Sequence, residues 1–385
     1  MANLLSFNFC LNTDVYFGVG VRNKLFEKIQ ANNYEYIGLI LDHNIINNPF
    51  VRDLINKLHT ETKLLKIGYC RISEPTYISL EELRDGFIDE RLQVVIGLGG
   101  GSAIDMAKAM AVLINNTRPA IFYRGFDKMT KPVLPVIAIP TTAGTGSEIT
   151  PNASFIDSVE KKKMGINGES MRPSLAFLDP ELTLSCPKLP TISAGVDSIV
   201  HATEAFVAKK TNPIAQFFAR EGCQRVLAAL PELTDSLHDI QLRSEVMYGA
   251  FMSSVALMHS GTGPAAAMSY PLGVHYGVPH GIGGALFLPH VVELNVTRGF
   301  NGYGGLIDGF NVDRFDNNLL GAQKYLETLK AAWGRLNIIE SLESYEIDSD
   351  LFVSETMVLI GALEQNPVLF ESDEILHIIR ALGVD

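Results

Sequence analysis

An aspartate and a histidine stand four residues apart in an apolar segment, at Asp197 and His201. The periodicity of the surrounding apolar residues predicts a helix, and on a helix this spacing places both side chains on one face. Later in the chain, His280 begins another apolar segment. One carboxylate and two imidazoles can hold a divalent metal and leave a coordination position open. The same spacing is also found in plain hydrogen-bonded pairs, and the residues by themselves leave both interpretations open.

A run of glycines forms the second group of residues that could do chemistry. The run follows a predicted buried strand at 93–98, opens a predicted helix that ends near residue 113, and consists of Gly99, Gly100, Gly101 and Ser102. Glycines let the backbone approach a diphosphate closely, and the free amides at a helix start donate to anions. The spacing is not that of the first-strand Gly-x-Gly-x-x-Gly fingerprint. The run therefore predicts phosphate binding, with a tight turn that binds no ligand as the alternative.

Two further features lie after predicted strands. Asp42 follows the strand 36–41, where a carboxylate can bind a ribose and repel a 2′-phosphate, although it can equally cap a helix. The segment 140–148 follows the strand 133–139 and is rich in threonine and glycine but poor in charge. Such a segment suits a neutral or phosphate-bearing ligand better than a folded core.

The elements that must position these residues divide the chain in two. Strands and helices alternate up to about residue 180, which predicts a parallel sheet with crossover helices. Helical periodicity with little β pattern follows. We therefore predict an α/β dinucleotide-binding domain at 1–185 and an all-α metal-binding domain at 186–385, with a ligand cleft at their boundary.

The sequence also predicts the limits of the other strands and helices. The remaining strands of the first half are expected at 15–20 and 64–68, with a short pair at 155–156 and 163–166, and its helices at 23–30, 50–58 and 80–89. The helices of the second half are expected at 190–208, 213–230, 242–258, 261–268, 321–336 and 349–363.

Composition limits the class of protein. A chain of 385 residues with 47% hydrophobic and 19% charged residues is compact and too long for one core. Its formal net charge of −12 argues against a nucleic-acid partner. The sequence shows neither a secretory signal pattern nor an apolar run long enough for a membrane helix, and its four cysteines lack paired spacing. We therefore expect a soluble cytoplasmic protein with reduced cysteines.

Taken together, the chain resembles the iron-containing, group III alcohol dehydrogenase family. The segments that carry the resemblance are 16–20, 99–108, 140–148, 179–183, 195–201, 271–273 and 279–291. They occur in order along nearly the whole chain. The resemblance implies the fold shared by these enzymes and the dehydroquinate synthases, a nicotinamide cofactor, one divalent metal and a homo-oligomer, often a dimer.

The resemblance also implies roles for individual residues. Gly99 to Ser102 would hold the cofactor diphosphate, and Asp42 would lie at the adenosine ribose, which favours NAD over NADP. The residues expected to line the cofactor or pack near it are Thr141, Thr142, Thr145 and Leu182, and Lys163 is expected on its nicotinamide side. Asp197, His201 and His280 would bind Fe(II) or Zn(II).

One part of the family pattern is absent. The family has a metal-binding histidine four residues before a second histidine, and this chain has Ala266 and Tyr270 there. Three ligands remain, which suffice for a catalytic site completed by water or substrate. His259 or His275 could supply a replacement ligand. Tyr270 could move the proton that a histidine would otherwise handle, although a tyrosine of ordinary pKa, about 10, is a poor base near neutrality.

These implications lead to an expected function. We expect hydride transfer between an alcohol and NAD, with a sugar or sugar-acid hydroxyl as substrate because the small Ala266 leaves room. The branch that oxidises the terminal hydroxyl of 3-deoxy-manno-octulosonate is one such case, and Arg298 or Lys163 could bind its carboxylate. Two alternatives are a dehydroquinate-synthase-like cyclase that uses NAD transiently and a non-catalytic cofactor-binding protein with a decayed metal site.

Overall fold

The computed structural model describes residues 6–72, 74–87, 91–307 and 319–384. Contacts divide the chain into two units. The α/β unit comprises Leu11–Pro187 and Leu237–Met247, and the helical unit comprises Lys188–Ser236, Tyr248–Asp385 and the N-terminal Met1–Cys10, in their described parts. The predicted domain limits of 1–185 and 186–385 stay a proposal.

A six-stranded sheet forms the centre of the α/β unit. Its strands are β1 Asp14–Phe17, β2 Tyr36–Asp42, β3 Leu64–Cys70, β4 Val94–Gly99, β6 Val136–Pro140 and β11 Leu175–Leu178. Their order is β1-β11-β6-β4-β2-β3, and every pairing is parallel. Strands β4, β6 and β11 are buried along their whole length, as expected of a sheet with both faces covered. The parallel sheet predicted from the alternation is confirmed, and β11 is an addition to the predicted strands.

The sheet reverses its winding at β2. The chain passes from β2 to β3 on one side and then returns to place β4 on the other side of β2. In open parallel sheets, ligands bind at the carboxyl ends of the strands where such a reversal leaves a crevice. Asp42 ends β2 and Gly99 ends β4 at this position.

Helices and short strands complete the α/β unit. The helices are α1 Lys24–Ala31, α2 Pro49–Glu61, α3 Tyr77–Asp85 and α4 Gly101–Leu113. The short strands are β5 Gly125–Phe126, β7 Asn152–Ala153, β8 Ile156–Asp157, β9 Lys162–Lys163 and β10 Ile166–Asn167. The expected short pair is present as antiparallel β8 and β9, with a second pair, β7 and β10. The predicted helix 80–89 begins earlier, and its expected last two residues lie outside the described residues.

The second half of the chain is helical, as predicted. Its helices are α5 Lys188–Val207, α6 Pro213–Asp235, α7 Ile240–Ser260, α8 Pro264–Tyr276, α9 His280–Thr297, α10 Leu319–Leu336, α11 Ser349–Met357, α12 Ile360–Leu363 and α13 Ser372–Ala381. Helices α9 and α13 were not among the predicted elements, and the helix expected at 349–363 is divided into α11 and α12. No helix among the described residues combines the length and apolar character needed to cross a membrane.

Candidate metal centre and glycine turn

Helix α5 carries two of the three candidate metal ligands. Asp197 and His201 lie one turn apart on its buried face, each with 5% of its surface exposed. His201 Nε2 lies 3.4 Å from Asp197 Oδ1. The shared face predicted from the four-residue spacing is therefore present.

The third candidate, His280, is the first residue of α9. Its Nε2 atom lies 3.9 Å from the same Asp197 Oδ1 atom. The ligand atoms of Asp197, His201 and His280 all lie within 4.8 Å of one another. The structure thus brings together side chains from two helices that are far apart in sequence.

Close contact between α5 and α9 depends on Gly281. A Cβ atom at this position would collide with the carbonyl oxygen of Ser193 and lie 2.9 Å from Asp197 Cβ. Only a residue without a side chain allows the start of α9 to approach the backbone of α5 so closely. Gly281 therefore places the neighbouring His280 beside Asp197.

The spacing of these atoms fits a metal ion. Direct N–H···O hydrogen bonds measure about 2.7–3.2 Å, so both His–Asp separations are long for hydrogen bonds. A tetrahedral ion with bonds of about 2.1 Å would separate its ligand atoms by about 3.4 Å. Among the described residues, His201 Nδ1 is also buried without a hydrogen-bond partner. Borderline nitrogen and oxygen donors of this kind suit Fe(II) or Zn(II).

Ser269 contacts His280 at Nδ1, the ring nitrogen opposite the one that faces Asp197. Its hydroxyl oxygen lies 2.6 Å from His280 Nδ1 and 2.6 Å from the backbone oxygen of Ala266. Ser269 is on α8 and is 1% exposed. Its contact leaves Nε2 as the ring nitrogen of His280 that faces Asp197.

The two positions that depart from the family pattern also lie on α8. Ala266 is buried, and its backbone N–H points to Glu204 at 3.4 Å. Tyr270 is partly exposed and packs edge-on against His280, with ring centroids 4.9 Å apart. Tyr270 is therefore a direct neighbour of a candidate ligand.

Neither proposed replacement histidine joins the cluster. Among the described residues, the group of potential ligands contains only the two histidines named above. His275 Nε2 pairs with Glu355 Oε2 at 2.6 Å, and His259 stacks on Phe9 with ring centroids 4.2 Å apart. Each has a packing or pairing role of its own.

A buried carboxylate anchors the start of α8. Glu204 accepts hydrogen bonds from the backbone N–H groups of Gly263 and Ala265, both at 2.7 Å. These groups would otherwise lack partners at the beginning of a helix. Burial raises the pKa of Glu204 to about 7, against the lowering effect of these bonds. The helix that carries Ser269 and Tyr270 is therefore fixed to α5.

In the α/β unit, the glycine run forms the turn between β4 and α4. Gly99 has a φ of 153°, and a Cβ there would lie 2.6 Å from Asp42 Cβ. Gly100 is the N-cap of α4 and provides no side-chain cap, while Gly101 and Ser102 begin the helix. Backbone amides at such a turn favour anions. This arrangement agrees with the predicted phosphate-binding turn but does not by itself assign a ligand.

Asp42 caps the short helical turn that follows β2. Its Oδ1 atom accepts from the backbone N–H of Asn44 at 2.9 Å and from its side-chain amide at 3.1 Å. The alternative reading of Asp42 as a cap is therefore present in the structure, and the same side chain lies against the Gly99 backbone. Its ribose-binding role stays a prediction.

The threonine-rich segment follows β6, beside the glycine turn. The N–H of Thr141 donates to the Gly99 carbonyl at 2.9 Å, and Thr142 lies against Gly100. Thr145 Oγ1 packs against Gly101 and accepts from the N–H of Ser147 at 3.3 Å. The three predicted threonines therefore surround the turn.

A buried hydrogen-bond network links α4 to the segment that follows the threonines. Lys108 is fully buried and its Nζ donates to the Asn152 carbonyl at 2.7 Å, to Ser147 Oγ at 3.0 Å and to Asp105 at 3.3 Å. Asp105 also accepts from the Ser147 hydroxyl and from the N–H of Ser154. Burial lowers the pKa of Lys108.

Two other predicted residues have partners of their own. Leu182 is 1% exposed and packs in the apolar core with Leu41 and Ile139. Lys163 Nζ forms an ion pair with Glu74 Oε2 at 2.6 Å, and its side chain is 12% exposed. The structure leaves their roles toward a cofactor as predictions.

Sequence reasoning missed Ser269 and Glu204. Serine and glutamate on apolar helices give no pattern of their own, because their importance depends on partners from another helix. Glu204 could have been suspected as a charged residue in a largely apolar helix, since buried carboxylates need partners. Ser269 had no comparable indication.

Comparison with known proteins agrees with the geometry. Residues 12–180 match the family model described as iron-containing alcohol dehydrogenase, and residues 191–383 match that of the C-terminal part of the same family. Long-chain-alcohol dehydrogenase 1 of Geobacillus thermodenitrificans is 30% identical over 337 residues, which is 86% of this chain and 81% of that protein. The solved iron-containing alcohol dehydrogenase of Thermotoga maritima superposes with a TM-score of 0.84 at 26% identity and covers 98% of this chain and 100% of that one.

A further relative matches over a shorter stretch. The NAD-dependent methanol dehydrogenase of Bacillus methanolicus is 36% identical over 223 residues, or 58% of this chain and 58% of that protein. This match thus spans less than two thirds of the relative's length. The two family-model matches, which together extend over both halves of the chain, do not depend on it. The chain belongs to the iron-containing alcohol dehydrogenase family.

Proposed function

We propose that this protein is a metal-dependent oxidoreductase that transfers hydride between an alcohol and NAD. The observation that carries the proposal is the cluster of Asp197, His201 and His280, whose ligand atoms lie within 4.8 Å of one another. Membership of the iron-containing alcohol dehydrogenase family supports it. The remaining predicted residues receive their roles within this reaction.

The α/β unit binds NAD at the turn after β4. Gly99 to Ser102 and the first amides of α4 hold the diphosphate, and Asp42 accepts hydrogen bonds from the adenosine ribose. The position of Asp42 beside Gly99, at the reversal of the sheet, supports this assignment. The carboxylate disfavours NADP because it would repel the 2′-phosphate. One relative is named an NAD-dependent enzyme.

Asp197, His201 and His280 hold one divalent metal, Fe(II) or Zn(II). When bound, such an ion supplies Lewis acidity that favours ionisation of an alcohol. The chain contributes two imidazoles and one buried carboxylate, and the negative charge of the carboxylate offsets part of the charge of the ion. Asp197 and His201 are buried, whereas the His280 side chain is partly exposed.

Tyr270 and Lys163 serve the reacting end of the substrate and cofactor. The contact of Tyr270 with His280 supports a role in holding or relaying the proton of the alcohol. Lys163, which forms an ion pair with Glu74, would lie on the nicotinamide side of the cofactor. Thr141, Thr142 and Thr145 would line the cofactor, and Leu182 would pack near it.

The substrate is a sugar or sugar-acid alcohol, with the terminal hydroxyl of 3-deoxy-manno-octulosonate as one example. Ala266 and Tyr270 replace two imidazoles of the family pattern, and the smaller alanine side chain supports a bulkier polar substrate. The named relatives act on methanol and on long-chain alcohols, so these compounds form the comparison set.

The reaction can be tested with metal-loaded protein. NAD is mixed with methanol, long-chain alcohols or sugar acids, and the absorbance of reduced nicotinamide is recorded. Reduced nicotinamide should accumulate, and the sugar acids should give the highest kcat/KM. A preference for simple alcohols would reject the substrate assignment. The protein would be a cyclase if no alcohol yields reduced cofactor and if it converts a substrate while its NAD is recovered in the oxidised form.

The same proposal includes a homodimer that acts on a small molecule in the cytoplasm, without nucleic acid or membrane partners. The net charge of −12 disfavours phosphate backbones as partners. Light scattering on the eluting protein should give twice the chain mass of 42.1 kDa. The mass of a single chain would reject the dimer.

A further inference from the structure

The hydroxyl group of Ser269 contacts two acceptor-capable atoms at the same short distance. Its oxygen lies 2.6 Å from the Ala266 carbonyl oxygen and 2.6 Å from His280 Nδ1. The side chain is 1% exposed, so water does not compete for these contacts. The proton arrangement must therefore satisfy all three groups at once.

Proton counting selects one arrangement. A serine hydroxyl has a single hydrogen, and a carbonyl oxygen can only accept. The hydroxyl of Ser269 therefore donates to the Ala266 carbonyl, and its own oxygen remains free to accept. His280 must then carry a proton on Nδ1 and donate it to Ser269. If Ser269 donated to His280 instead, its oxygen and that of Ala266 would meet without a proton between them.

The fixed proton determines which nitrogen of His280 can bind a metal. With the hydrogen on Nδ1, the neutral ring carries its lone pair on Nε2. Nε2 is the atom that lies 3.9 Å from Asp197 Oδ1. The hydrogen bond also fixes the orientation of the ring, because it links α9 to the backbone of α8 through Ser269.

We infer that Ser269 is a positioning residue that holds His280 in the Nδ1-protonated tautomer and directs its Nε2 atom to the metal. This inference rests on the proposed metal-binding function. Partners behind a ligating histidine usually change metal affinity about 10- to 100-fold when removed. Ser269 is one turn or less from both Ala266 and Tyr270, so the part of α8 that lacks the family's histidines contributes this support instead.

The first test uses the metal-free full-length protein and reads the tautomer directly. Nitrogen-15 chemical shifts of His280 should show the proton on Nδ1 in the wild type. In Ser269→Ala the Nδ1–H loses its acceptor, so the shifts should move toward the Nε2-protonated form. An unchanged tautomer in Ser269→Ala would overturn the inference, whatever the metal affinity.

The second test measures metal affinity without reference to activity. Zn(II) is titrated in competition with a chromophoric chelator, and the Kd of Ser269→Ala should be about 10- to 100-fold higher than that of the wild type. Ser254→Ala is the matched control, because Ser254 is a buried helical serine that donates to the Ala250 carbonyl at 2.8 Å. The control should bind Zn(II) as the wild type does.

A third variant covers the case in which Ser269→Ala does not fold. Ser269→Thr retains the hydroxyl and should keep both the tautomer and the affinity. Equal Zn(II) affinity in the wild type and in a folded Ser269→Ala would overturn the inference and leave the metal site intact. If the wild type binds neither Zn(II) nor Fe(II), the proposed function is rejected instead. The tautomer measurement would still test whether Ser269 sets the proton position of His280.

Discussion

At the residue scale, the candidate metal centre consists of one carboxylate and two imidazoles. Asp197 supplies the carboxylate that both histidines face, at 3.4 and 3.9 Å. Asp197 and His201 share one helix, so their relation is local, whereas His280 comes from another. Of the three, His280 is therefore the candidate ligand whose position depends most on tertiary packing.

Replacement of His280 should separate metal binding from cofactor binding. His280→Ala removes one of the three proposed ligands, so we expect loss of bound metal and a fall of turnover to the background rate, with unchanged affinity for NAD. Metal content, kcat and NAD titration measure the three effects. His275→Ala is the matched control, since His275 pairs with Glu355 outside the cluster. Normal turnover in His280→Ala would remove this residue from the site.

At the element scale, the centre depends on how closely α9 approaches α5. Gly281→Ala places a methyl group against the Ser193 carbonyl, so the two helices must separate. We expect a loss of about 1–3 kcal/mol in the free energy of unfolding, as for other overpacked positions, and a weaker metal site. Denaturant unfolding and chelator competition measure these effects.

Gly284 on the same helix provides the control for this change. A Cβ atom there would lie 3.4 Å from Val200 Cγ2, which is an ordinary contact. Alanine also has the higher helix propensity, so Gly284→Ala should change stability by less than about 1 kcal/mol. Equal effects of the two substitutions would contradict the role given to Gly281.

Elements with a regular pattern could be predicted from the sequence, and others could not. The α5 helix, the strands β2 and β4 and the turn after β4 follow from apolar periodicity and glycine placement. Helix α9 was missed because its glycines and Pro289 resemble signs of a loop, although the close packing of the helix requires Gly281. Strand β11 has four residues and is recognisable only through its partners β1 and β6.

The candidate site shows the same division. Asp197 and His201 could be paired by helical spacing alone. His280 could be added as a third candidate from its residue type, but no spacing in the sequence places it beside them, and its proximity follows from the fold. Ser269 and Glu204 act through hydrogen bonds to other helices, and no sequence spacing encodes such bonds.

At the scale of the whole molecule, Glu204 links stability to pH. Burial raises its pKa to about 7 from an ordinary value of 4.5, so the folded protein favours the protonated acid. The resulting stabilisation is complete below the unfolded pKa and is lost as the pH rises through about 7. In metal-free protein, the wild type should lose about 1–3 kcal/mol relative to Glu204→Gln between about pH 5 and pH 8.

Denaturant unfolding of both proteins over this range measures the difference. The glutamine keeps a carbonyl oxygen for the N–H groups at the start of α8 but does not titrate. Curves of stability against pH that run parallel for the two proteins would show that Glu204 stays charged throughout.

We propose that Asp197, His201 and His280 form a metal site although Ala266 supplies no fourth ligand. Elemental mass spectrometry of the protein purified without chelator tests this site directly. We expect about one Fe or Zn per chain in the wild type and none in His280→Ala. A wild-type protein that is metal-free and takes up neither Fe(II) nor Zn(II) would contradict this proposal.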